Sequence, residues 1–149
     1  MSEANRDEIA RLEKSVAEQP DSRLFVHLAE AFRKSGEHDR ALEVLDAGLA
    51  QHADYASAWI VRAQVLAESG RVDEAKESWR RVLELDGENE IALRTLGELE
   101  FNAGNSAESL RHFRRLAELN EEDHEALEMI AMIEDADSAR LASQTEWED

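Results

Sequence analysis

Gly36, Gly70 and Gly104 stand 34 residues apart, and Ala41, Ala75 and Ser109 follow them at one fixed offset. Each period reads as helix, turn, helix. A single helix pair cannot bury its apolar face alone, so successive copies must stack into a continuous core. The recurrence therefore predicts an all-α solenoid of antiparallel helix pairs, with about eight helices once the flanking segments are added.

The apolar positions phase the copies at 22–55, 56–89 and 90–123. In the first, Phe25, Leu28, Ala29 and Phe32 share one side of a helix, Gly36 breaks it, and Ala41 and Leu45 face inward from the next. Trp59, Ala63 and Leu66, then Gly70, then Ala75, Trp79 and Val82 repeat the scheme. Leu93, Leu96 and Gly97, then Gly104, then Ser109, Phe113 and Leu116 do so again. Small residues are expected where two helix axes approach closely, and aromatic ones where the gaps they leave must be filled. A preceding helix over 4–19 carries Ile9, Leu12, Val16 and Ala17 at helical spacing and ends at Pro20. A capping helix is expected over 124–141, then a flexible acidic tail over 142–149. Residues 1–141 thus read as one domain.

On these residues the chain resembles the tetratricopeptide repeat, whose signature places large apolar, small, Gly, Ala and aromatic residues at such offsets. The resemblance implies a right-handed superhelix whose first helices line a concave groove for a peptide or helical segment. The groove would present Val26, Glu30 and Arg33 from the first copy, Ile60, Val61 and Gln64 from the second, and Ile91, Arg94, Thr95, Glu98 and Phe101 from the third. The carboxylate clamp of the family's chaperone-binding members is not expected, because Val26, Glu30, Val61, Ile91 and Thr95 stand at its places. An apolar patch of Val26, Ile60, Val61 and Ile91 either suits an amphipathic helix or an apolar-anchored segment better or merely packs adjacent repeats together.

Composition narrows the classes of function. With 35 acidic and 17 basic residues the formal net charge is −18, so neither nucleic acid nor an anionic membrane is an expected partner. The chain has no Cys, which removes thiolate chemistry and Cys-based zinc sites. The five His are scattered over different repeats, with no metal-ligand spacing, Gly-rich phosphate loop or nucleophile elbow. No catalytic residue, cofactor or metal is expected. The expected protein is a non-catalytic scaffold or adaptor in the cytoplasm. The alternatives are an architectural homodimer formed through the terminal helices and a regulatory module of a larger protein.

Two residues break the repeat. Arg62 stands where the family has Leu, and Glu100 where the earlier copies have Phe32 and Leu66. Each must reach water or find a partner. Arg62 either snorkels, pairs with an acid on a neighbouring first helix, such as Glu30 or Glu98, or anchors an anion in the groove. Phe101, one position after Glu100, either marks a third helix that is slightly rotated or faces the groove as an apolar anchor. The Arg residues at 80, 81, 111, 114 and 115 read as a strip paired at four-residue spacing with Glu77, Glu84, Glu108 and Glu118 on an exposed helix face, or else as a convex secondary contact for acidic partners. In the tail, Trp147 between Glu146 and Glu148 is either a chain end or a segment that docks in its own or a sister groove.

Overall fold

The fold was described from a computed structural model, which covers residues 2–146. The helices are α1 (Glu3–Glu18), α2 (Phe25–Lys34), α3 (His38–Gln51), α4 (Ala56–Glu68), α5 (Val72–Leu85), α6 (Glu90–Asn102), α7 (Ser106–Leu119) and α8 (His124–Glu146). There is no strand among the described residues. The contacts fall into two compact units divided between Asp86 and Gly87. That division lies in the turn between the second and third copies. In a repeat fold each copy packs on its neighbours alone, so no closed core prevents it.

In the first unit, α2 packs on α3 and α4 on α5, while α1 covers α2 and α4 also meets α2 and α3. Phe25, Leu28, Phe32, Leu45, Val65 and Leu66 form its apolar interior. Ala29, Ala41, Ala63 and Ala75 are fully buried, as expected where helix axes come together. Gly48 acts in the same way: a Cβ on it would overlap the Phe25 ring. In the second unit α7 packs between α6 and α8, over Leu93, Leu96, Phe113, Leu116, Ala126 and Ile133. A Cβ on Gly97 would lie 2.8 Å from the Phe113 ring, so this glycine seats the aromatic.

One turn closes all three helix pairs. Gly36, Gly70 and Gly104 have φ of 77°, 77° and 83°, a left-handed backbone that a Cβ disfavours. The residue after each glycine donates its N–H back across the turn: Glu37 to Phe32 O at 2.9 Å, Arg71 to Leu66 O and Asn105 to Glu100 O, both at 2.8 Å. These bonds satisfy carbonyls that the helix end would otherwise leave open.

Helix α8 continues to Glu146, past the expected end at Leu141. The segment 142–146 expected to be flexible is helical, with Thr145 Oγ1 donating to Ala142 O at 2.9 Å. Its composition explains the difference, since Leu141, Ala142, Gln144 and Glu146 continue a run of helix-compatible residues with no Gly or Pro. Trp147 lies outside the described residues.

Candidate functional site

The expected binding residues lie on α2 and α4 of the first unit and α6 of the second. Two of them belong to the core instead. Val26 and Val61 are buried in the apolar cluster of the first unit, where α2 meets α4, and little of either side chain is left for a partner. Glu30, Arg33, Ile60 and Gln64 are half-buried. In the second unit Arg94, Thr95 and Phe101 are half-buried, Glu98 is exposed, and Ile91 is 60% exposed. The apolar patch expected from four residues thus reduces to Ile60 in one unit and Ile91 in the other.

Both arginines expected on this face already hold acids. Arg33 pairs with Glu30, one turn earlier on α2, and with Glu68 at the end of α4. His38 also meets Glu68, at 3.3 Å. The Arg33 guanidinium holds the Glu30 carboxyl below the usual glutamate range. In the second unit Arg94 donates to both carboxylate oxygens of Asp123 and, at 2.9 Å, to Glu125. Asp123 is the residue before α8, and its Oδ1 also accepts the Ala126 N–H at 3.0 Å. Arg94 and that backbone donor hold its carboxyl low.

Glu98 is different. The Glu125 carboxyl beside it, together with partial burial, pushes its pKa up to about 7, against a smaller opposing pull from Arg94. Arg33, Arg94 and Glu98 are among the residues expected from the sequence, whereas Glu68, Asp123 and Glu125, which meet them, are not. Asp123 carries a local signal, an Asp just before a helical segment, which is the place of an N-cap. Glu68 and Glu125 carry none, because their roles come from the packing of successive helices.

The two breaks in the repeat are structural. Arg62 donates to Asp46 on α3 at 3.0 Å and to the buried Ser78 hydroxyl on α5 at 2.7 Å, so its partners are on second helices rather than Glu30 or Glu98. Glu100 is 2% exposed and accepts from Asn105 Nδ2 at 2.6 Å. Leu96 and Gly97 are buried beside it, so α6 keeps the register of the earlier copies. The arginine strip is paired with the expected acids, but at three-residue rather than the expected four-residue spacing: Arg80 with Glu77, Arg81 with Glu84, Arg111 with Glu108 and Arg115 with Glu118. Arg114 instead reaches Glu134 on α8.

Among the described residues no group of three or more His, Asp or Glu is arranged to hold a metal ion, and no helix is long and apolar enough to cross a membrane.

A sequence model of the tetratricopeptide repeat matches residues 26–90 and again 60–124. No curated protein matches. Among solved structures, MamA is similar with a TM-score of 0.76 at 15% identity, over 89% of this chain and 78% of that one. YrrB, described as a TPR protein with an unusual peptide-binding site, is similar with a TM-score of 0.72 at 24% identity, over 82% of this chain and 63% of that one. The Yersinia enterocolitica type III secretion chaperone SycD, solved with a peptide of the translocator YopD, gives a TM-score of 0.64 at 18% identity, over 74% of this chain and 89% of that one. At these identities the likeness is one of fold.

Proposed function

The chain belongs to the tetratricopeptide repeat family, and from that premise we propose that it is a non-catalytic scaffold or adaptor holding a peptide or helical segment of another protein. Members of the family commonly mediate protein–protein interactions and are generally non-catalytic. Within the first unit such a guest would meet Ile60 as an apolar contact with Glu30 and Gln64 as polar ones; within the second it would meet Ile91, with Thr95 and Glu98.

Ile91 carries the proposal. It is the most exposed large apolar side chain among the described residues, and burying an isoleucine is worth about 1.5–3 kcal/mol. The interior of the second unit closes without it, so its burial is available to a partner. YrrB and SycD, which share the fold, are described with a peptide-binding site and with a bound peptide, which supports a segment as the guest.

Capture of partners by the immobilised chain, quantified for the wild type and for Ile60→Asp and Ile91→Asp, tests the reading. Partners enriched by the wild type should be lost from the variants while helicity and melting midpoint are retained. Equal capture by wild type and folded variants contradicts it. Light scattering over a range of concentrations reads the competing outcome, assembly of two copies through the same faces.

A further inference from the structure

On α6, Ile91, Thr95, Glu98 and Asn102 fall at helical spacing on one face, and all four are exposed or half-buried. Leu93, Leu96, Gly97 and Glu100 on the other side are buried. On this open face Ile91 stands exposed to solvent. Its charge is one-sided. The charged groups brought together there are Arg94 and Glu98 from α6, Asp123 just before α8, with His124 beside it, and Glu125 from α8. Arg94, the one Arg or Lys in that set, is already engaged by Asp123 and Glu125.

We propose that this face takes a segment carrying a lysine or arginine beside an apolar side chain, with the apolar group on Ile91 and the cation between the carboxylates of Glu98 and Glu125. The inference rests on the scaffold reading above and specifies the chemistry of its partner. Glu98 and Glu125 repel once both ionise, and Arg94, which Glu125 shares with Asp123, offsets this only in part. Near neutral pH the pair is relieved by a proton, as the high pKa of Glu98 records. An ammonium or guanidinium group relieves it better, because it donates to both carboxylates at once. An acidic segment would meet this surplus of carboxylates with Arg94 already engaged. A wholly apolar segment would bury the carboxylates with no counter-charge. Charge complementarity thus selects a cationic guest, and the exposed isoleucine selects an amphipathic one.

The probe is a displayed library of random peptides about fifteen residues long, selected on the immobilised full chain near neutral pH, with affinities then read by fluorescence anisotropy. The selected peptides should carry Lys or Arg next to an apolar residue. Glu98→Gln/Glu125→Gln and Ile91→Asp should each weaken them about tenfold or more. The charge-matched Glu3→Gln/Glu8→Gln on α1 should leave affinity unchanged, and circular dichroism should show every variant folded. Peptides lacking basic residues, yet weakened by Ile91→Asp, would overturn this inference and leave the scaffold reading standing. Equal weakening by the α1 variant would reduce the effect to general charge attraction and overturn it too. Failure of any peptide to bind would overturn both.

Discussion

Glu100 shows how one residue can break a pattern without breaking the fold. It occupies the place of Phe32 and Leu66, whose carbonyls accept the bond that closes each helix turn. Such turns often carry an apolar contact between the residues that flank the glycine. Here that contact is replaced by Asn105 donating to the buried Glu100 carboxylate. The exchange was half legible in the sequence: the misplaced acid stood out, but its partner did not, because an Asn after a turn glycine is common.

Gly48 is the opposite case, a glycine on which an aromatic depends. Gly48→Ala should destabilise the protein by roughly 1–3 kcal/mol through overlap with Phe25, despite a helix-propensity gain of about 1 kcal/mol. Urea unfolding of the single variant and of Gly48→Ala/Phe25→Leu checks this, since the smaller partner should recover much of the loss. At Glu98 the prediction concerns pH. Its carboxyl titrates near 7 in the folded protein against an ordinary 4.5, so the folded state holds the extra proton between these values. Its contribution to stability falls as pH rises through that window and is level above it. Wild type and Glu98→Gln should therefore melt alike near pH 5 and diverge by pH 7.5, with the variant the more stable. Parallel melting curves across the range would contradict the assignment.

At the scale of helices and turns, the sequence was informative because local chemistry and the repeat agree. The three left-handed glycines set the turns, and the helices follow the apolar spacing to within a few residues. Gly70→Ala should cost about 1–2 kcal/mol from the left-handed backbone alone, since nothing lies within 4 Å of the added Cβ. Gly70→Asn should cost less, as measured by the shift in urea midpoint. Arg62 joins three helices through Asp46 and Ser78. Arg62→Leu should cost about 1–3 kcal/mol by removing the donor to the buried Ser78 hydroxyl. Arg62→Leu/Ser78→Ala should recover most of that loss in thermal melts, because the polar group is removed with its partner. The partners of Arg62 were not legible because no local spacing links residues on three helices. The same reason hid Glu68 and Glu125. The end of α8 was missed differently, by taking an acidic composition for flexibility when its residues also favour helix.

For the whole chain, family and fold were written in the 34-residue period, while the binding surface was only partly so. A repeat pattern separates core from non-core positions but does not say how much of a non-core side chain its neighbours cover. Val26 and Val61, expected on the binding face, are buried, whereas Ile91 is open.

The most direct measurement is the affinity of a captured partner segment for purified wild type, Ile91→Asp and Arg111→Ala. The last variant alters an exposed arginine on α7 that pairs with Glu108. The scaffold reading predicts a loss of about tenfold or more for Ile91→Asp, as expected of an apolar anchor, and none for Arg111→Ala. An unchanged affinity for folded Ile91→Asp, or a loss confined to Arg111→Ala, would contradict it.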